Sequence, residues 1–191
     1  MTERKPTADR RLEIADAALQ VMAREGLGRF TAASLAKQVG VSDGALFRHF
    51  PAMDDIIAAA IDRAEQLLFE GFPPTADDPL DRLAAFYCQR LAAIRKHPDV
   101  VRVIYSNELA HAAKGPGAER VAGFKRRSVE FVRGCLQQAA RKGLLTDAGK
   151  PRDLAIIVLG SIIAVALSPE TSPNVHPQEL WKTLERMLRR S

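Results

Sequence analysis

What this chain has little of narrows its chemistry first. Only two cysteines occur among 191 residues. Cys88 and Cys135 lie far apart with no metal-ligand spacing, so they read as reduced core thiols, not as a disulfide framework or a zinc site. His49, His97, His111 and His176 are just as scattered, and no metal is expected. Gly26 and Gly28 lack the third glycine of a dinucleotide fingerprint and follow no strand. A phosphate-loop lysine and a serine in a nucleophile elbow are also missing, so neither an enzyme nor a cofactor finds support. Long apolar runs are scarce too. The longest, near 155–167, falls short of the roughly 20 residues of a spanning helix and is interrupted by Gly160 and Ser161. The opening MTERKPTADRR has no apolar stretch behind its charges, so no secretory signal is read and the chain is expected in the cytoplasm, without membrane. Aromatic residues supply 6% of the chain against 47% for all hydrophobic types, and no internal repeat is visible. That balance favours packed helices over sheet or disorder.

What is present centres on residues 31–53, TAASLAKQVGVSDGALFRHFPAM. Thr31 is a good N-cap for a helix running to about Val39, because its hydroxyl can accept an orphan amide of the first turn. Gly40 stops that helix in the left-handed region, Val41 packs back, and Ser42 is placed to cap a second helix from Asp43 to about His49. Phe50 precedes Pro51 and is pushed out of the helical region, while Pro51 suits the first position of a third helix. Leu35, Ala36, Val39, Leu46 and Phe50 form a small shared core. The remaining side chains of the second helix are Ser42, Asp43, Ala45, Phe47, Arg48 and His49. Apart from Phe47 they are small or hydrogen-bonding, and could enter a major groove while flanking groups hold phosphates. The layout is that of a DNA-reading helix-turn-helix.

Charge agrees only weakly. The net charge is +5, yet residues 1–50 carry eight basic against six acidic side chains. Arg4, Lys5, Arg10 and Arg11 read either as an arm touching phosphate or minor groove, or as a plain tail. The basic residues of 114–142 and of the C-terminus read as solvated faces.

Further along, 54–69 carries an apolar stripe through Ile56, Ile57, Ala60, Ile61, Ala64, Leu67 and Leu68. It is the natural connector. GFPPTADDP at 71–79 reads as a linker. Leu80, Leu83, Tyr87, Leu91 and Ile94 make one helical stripe, and Val100, Val103, Ile104, Asn107 and His111 the next. After Gly117 comes Val121, Phe124, Ser128, Phe131, Cys135 and Ala139, with Gly143 as stop. The polar members of these stripes, Tyr87, Asn107, His111 and Ser128, need partners if buried. Residues 153–167 are apolar nearly all round. Residues 177–190 place Leu180, Trp181, Leu184, Met187 and Leu188 opposite a basic face.

The order of a helix from about Asp9 to Glu25, then Phe30-Thr31, Leu35-Ala36, Val39-Gly40-Val41-Ser42, Gly44-Ala45-Leu46-Phe47-Arg48-His49-Phe50 and Asp54-Asp55-Ile56 resembles the N-terminal domain of the TetR/AcrR family. It covers the first third of the chain; the rest resembles the family in helicity and length. The resemblance implies phosphate contacts at Thr31, Ser42, Phe47 and His49, and an exposed recognition surface at Asp43, Gly44, Ala45 and Arg48. Ala33 falls where some members place a base-reading side chain, and its methyl could touch a thymine methyl. Two departures weaken phosphate contact: Phe47 stands for a usual tyrosine and Met53 for a usual lysine. Plainer readings stay open beside these. Thr31 and Ser42 can serve as caps, Phe47 can pack on the first helix, Arg48 and His49 can be surface residues, and Asp43 can complement a helix N-terminus.

The fold implied is all-α with about nine helices. It comprises a three-helix helix-turn-helix DNA-binding domain (1–50), a connecting helix (51–70), and a larger helical ligand-binding and dimerisation domain (71–191). In the resembled family the middle helices enclose a pocket for a small inducer. That implies a largely apolar effector lined here by Phe86, Tyr87, Ile104, Tyr105, Asn107, His111, Phe124 and Phe131. An ordinary core remains the alternative for each. The last two helices, 153–167 and 177–190, would pair with their copies in a homodimer, giving a palindromic operator on double-stranded DNA. The function implied is a sequence-specific transcriptional regulator, a repressor released by its ligand. The rivals are a DNA-binding protein acting through a protein partner in chromosome organisation or cell division, and a helical binding module without DNA affinity.

Overall fold

Nine α-helices and no β-strand occur among the residues that the computed structural model describes, which are 7–106, 116–146, 149–168 and 176–190. They are α1 (Thr7–Glu25), α2 (Ala32–Val39), α3 (Asp43–Phe47), α4 (Met53–Leu68), α5 (Pro79–Lys96), α6 (Pro98–Ile104), α7 (Pro116–Arg141), α8 (Pro151–Leu167) and α9 (Pro177–Leu188). The chain forms two compact units, one of Met1–Leu67 with His97–Ala122 and one of Leu68–Lys96 with Gly123–Ser191. Residues 97–122 therefore group with the first unit, although they follow the segment read as a linker.

In the first unit α1 is the central strut. Ile14, Ala18, Val21 and Met22 turn its apolar stripe inward, and α2 and α6 pack against it. Leu35, Leu46, Phe50, Ile56, Ala60 and Ile61 are fully buried, so the small core expected around the turn is built, and Val39 is half-buried at its edge. Burying each large aliphatic side chain stabilises by about 1.5–3 kcal/mol. On α4, Arg63 donates to Asp16 of α1 at 2.7 Å, and Asp62 receives Arg120 of α7 at 3.0 Å.

The second unit is organised on α5. Asp78 caps it by accepting from Leu80 N–H at 2.7 Å, with Pro79 in the first turn where a missing donor costs nothing. Both α8 and α9 pack on α5. The stripe Leu80, Leu83, Tyr87, Leu91 and Ile94 is buried as the spacing requires. Tyr87 finds its partner in Ser161 of α8 at 3.0 Å, and Ser128 bonds back to the Phe124 carbonyl at 3.2 Å, so two of the polar stripe residues are satisfied. Asn107 and His111 lie outside the described residues. Gly143 adopts φ 69° and ends α7, with Leu144 N–H reaching the Ala139 carbonyl at 2.9 Å. The C-terminal residues return to that turn: Thr146 N–H bonds Leu188 O and Arg190 N–H bonds Leu144 O.

Several boundaries differ from the sequence reading. Helix α3 stops at Phe47 and not near His49, because the amides of His49 and Phe50 both turn back onto the Leu46 carbonyl, at 2.9 and 3.0 Å. Helix α4 starts at Met53, two residues after Pro51, since the Asp55 carboxylate accepts from Ala52 N–H at 3.1 Å and fixes the first turn there. Arg10 and Arg11 belong to α1, as the helix read from about Asp9 has it, and not to an arm or tail, while Arg4 and Lys5 lie outside the described residues. Helix α7 begins at Pro116, one residue before Gly117.

Candidate nucleic-acid interface

Helix α2 is capped at both ends by residues legible in the sequence. Thr31, in extended conformation, accepts from Ser34 N–H at 3.2 Å while Ser34 Oγ accepts from Thr31 N–H at 3.2 Å, a reciprocal box. At the other end Gly40 has φ 75°, and the Val41 amide bonds the Ala36 carbonyl at 3.0 Å, which folds the chain into the turn. Ser42 follows at the N-cap of α3, but its side chain makes no capping bond. The cap expected there is absent because the Ser42 carbonyl, through the amides of Ala45 and Leu46, carries the start of the helix instead. Its hydroxyl is left at an exposed site at the positive end of α3.

The residues named for DNA contact lie where a duplex could meet them. Thr31, Ala33, Ser42, Asp43, Gly44 and Arg48 are exposed, Ala45 and His49 are half-buried, and Phe47 keeps 40% of its surface open. Leu46, between them, is the residue that anchors α3 to the core. Gly44 has nothing within 4 Å of where a Cβ would stand, so the face is open. Ala45, Arg48 and His49 line a groove of about 670 Å³ together with Thr7, Arg10, Ile14 and Val41. The N-terminal turns of α1 thus contribute Thr7 and Arg10, whose place beside α3 comes from the packing of α1. Arg10 also pairs with Glu13 at 3.0 Å. In His49, Nδ1 is buried with no hydrogen-bond partner, which leaves Nε2 as the nitrogen that can meet a ligand. An exposed surface of hydroxyls, a guanidinium and an imidazole beside a short helix can hold phosphate oxygens and present Arg48 to base edges.

The residues named for a ligand separate. Phe86, Phe124 and Phe131 join Phe69 and Phe72 in an aromatic cluster of the second unit. Phe86 and Phe131 lie 5.2 Å apart, Phe72 meets both, at 6.0 and 5.0 Å, and Phe69 meets Phe124 at 6.1 Å. Tyr87 instead faces Ser161 and Trp181, its ring 5.5 Å from the indole. Ile104 and Tyr105 belong to the first unit. The sequence reading missed Phe69 and Phe72, and missed Arg90, which is only 7% exposed and sets its guanidinium 4.2 Å from the Phe69 ring and 5.1 Å from that of Phe86. The spacing of Phe86 and Arg90, one helical turn apart on α5, is the signal that could have paired them. Phe72 gave none, because it sits among the prolines of a segment that reads as linker.

A second open face lies on α8. Ile156, Ile157, Ile163 and Leu167 are 63%, 51%, 39% and 54% exposed, while Leu154, Ala155, Val158 and Ile162 are buried. Met187 of α9 is 62% exposed. Cys88 and Cys135 are free, and burial pushes both thiols up from their ordinary value. No described helix is long and apolar enough to cross a membrane.

Fold and interface together define an all-helical DNA-binding regulator with an N-terminal helix-turn-helix. Residues 14–60 match the model of the bacterial regulatory proteins of the tetR family. The nucleoid occlusion factor SlmA of Aliivibrio fischeri (strain MJ11) is 30% identical over 146 residues, covering 74% of each chain. The chain belongs to the TetR family. Its fold matches that of the ketosteroid transcriptional regulator KstR2 of Mycobacterium tuberculosis, with a TM-score of 0.79 at 16% identity over 100% of this chain and 98% of that one. It also matches AibR, solved with isovaleryl coenzyme A and operator DNA, with a TM-score of 0.77 at 15% identity over 94% and 97%.

Proposed function

We propose that this protein is a sequence-specific transcriptional repressor that binds a palindromic operator as a homodimer and leaves it when a largely apolar small molecule binds. The observation that carries the reading is the open face of α3, with Arg48 and His49 lining a groove beside Arg10, in a chain of a DNA-binding regulator family. Thr31, Ala33, Ser42, Asp43, Gly44, Ala45, Phe47, Arg48 and His49 form the DNA surface. Helices α8 and α9 supply the dimer contact, since four large aliphatic residues open on α8 are better buried than hydrated, and Gly160 among them lets a second copy approach closely. The effector site centres on the rings of Phe86 and Phe131. Ligand acts by population shift, favouring a dimer whose two recognition helices no longer match half-sites one helical turn apart. The site of action is the nucleoid, in the cytoplasm.

A fluorescence-anisotropy titration against DNA from upstream of the gene, with unrelated DNA as competitor and at two salt concentrations, tests this. Tight binding that survives competitor is expected; weak binding that vanishes with salt at every fragment would sink it. A second reading is favoured by the likeness to nucleoid occlusion factors. In it the protein binds DNA and acts through a protein partner with no inducer. Thermal shift against a panel of apolar and acyl compounds separates the two. Stabilisation by one class supports the inducer, and uniform indifference together with many binding sites across a chromosome supports the partner.

A further inference from the structure

The recognition helix has five residues, Asp43–Phe47, too few to hold a direction by its own hydrogen bonds. Something outside it must fix where it ends. The Leu46 carbonyl takes the amides of His49 and Phe50, and the carbonyls that follow have no helical turn to receive them. One guanidinium meets this end. Arg11 of α1 donates through Nη1 to the His49 carbonyl and lies over the Phe50 ring, 4.0 Å from its centroid. Phe50 is fully buried, so the stack rests on a side chain packed into the core. Arg10, one residue earlier, projects about 100° away around α1 and lines the groove with Arg48 and His49. The two neighbouring arginines thus divide: Arg10 faces the groove, and Arg11 backs the turn.

Building on the DNA-binding reading, we infer that Arg11 is a positioning residue for operator recognition, tying the exit of α3 to α1 and setting the direction of Arg48 and His49 without touching DNA. The His49 ring depends on this tie. Its Nδ1 is buried and unpaired, so Nε2 alone can meet a phosphate, and its aim follows the backbone that Arg11 holds. Two properties of arginine are needed, a planar face for the aromatic stack and an edge that donates at the same time; a lysine ammonium can donate but has no planar face to stack.

The test compares wild type, Arg11→Gln and Arg11→Lys in two measurements. In anisotropy titrations across a salt series, Arg11→Gln should weaken operator binding on the order of tenfold with the salt slope unchanged, and Arg11→Lys should not restore it. A slope shallower by about one, with rescue by lysine, would make Arg11 a phosphate contact and overturn the inference. Hydrogen exchange without DNA should show the His49 and Phe50 amides losing protection in both variants while the α1 core keeps it. Unchanged protection overturns the inference as well. Should the wild-type protein bind no DNA, the exchange measurement still decides the role of Arg11, and only the regulator reading falls.

Discussion

Helices α3 and α8 each leave one face open, and the chemistry of the two faces is opposite. On α3 the exposed groups are short, polar or cationic, with Phe47 as the apolar exception, and a groove runs beside them. On α8 they are Ile156, Ile157, Ile163 and Leu167. A hydrated, charged partner suits the first, because its groups lose little water until a phosphate replaces it. A partner that excludes water suits the second, because about 25 cal/mol is gained for each Å² of apolar surface buried. The helices also differ in what holds them. Helix α3 is short, packs on α2, buries Leu46 in the core, and is followed by a turn that Arg11 holds at the His49 carbonyl. Helix α8 is held along its whole inner side by Leu154, Ala155, Val158 and Ile162. On the proposed reading, recognition is the delicate function and self-association the robust one.

The sharpest way to break this contrast is to put charge on the apolar face. Ile156→Glu combined with Ile157→Glu should leave the helical content unchanged, give a monomeric mass in analytical ultracentrifugation, and weaken operator binding about 10²–10⁴-fold, because two half-sites no longer bind together. A dimer of unchanged mass would place self-association elsewhere. Next in size is Arg48→Ala, expected to cost about 1–3 kcal/mol on the preferred operator and little on unrelated DNA if it reads a base. An equal loss on every sequence would make it a phosphate contact. Arg48→Ala should keep the wild-type melting temperature, since Arg48 is exposed, whereas the double variant should melt lower because the dimer contact no longer stabilises the folded chain.

Two smaller effects concern the scaffold behind α8. Tyr87→Phe removes the bond to Ser161 and should cost about 1 kcal/mol of stability in urea denaturation, while DNA affinity per dimer stays the same. At Asp78 partial burial pushes the carboxyl up, but the Leu80 amide and the Arg189 guanidinium more than offset that, and the net shift is below the ordinary carboxylate value. A carboxylate held below its unfolded value stabilises above that value and loses the contribution as pH falls through the folded one. Asp78→Asn should therefore lower the melting temperature at neutral pH and converge on wild type as pH falls, which flattens the acid limb. An unaltered acid limb would show that other carboxylates control it.

The turn at Gly40 was legible because a left-handed position tolerates few residues, and Thr31 announced the start of α2 because few side chains can cap an amide. The exact ends of α3 and α4 were not legible. They depend on which of several carbonyls and carboxylates takes an amide, Leu46 for one and Asp55 for the other. The helix from about Asp9 covered Arg10 and Arg11, yet they also read as a basic arm or tail, because charge alone says nothing of which aromatic or carbonyl lies across the fold. The same holds for Phe69 and Phe72: a phenylalanine beside prolines joins a cluster only when helices distant in sequence bring Phe86 and Phe131 to it.

The sequence by itself determined the helical class, the helix-turn-helix and the apolar character of α8. Those follow from periodicity and from the few residues that can cap or end a helix, which are properties of neighbours along the chain. Tertiary structure alone decided the grouping of 97–122 with the first unit, the groove shared by Arg10, Arg48 and His49, the hold of Arg11 on the end of α3, and which side of α8 stays open. Each of these is a contact between residues far apart in sequence. Its formation depends on how whole helices pack, and no local pattern records that.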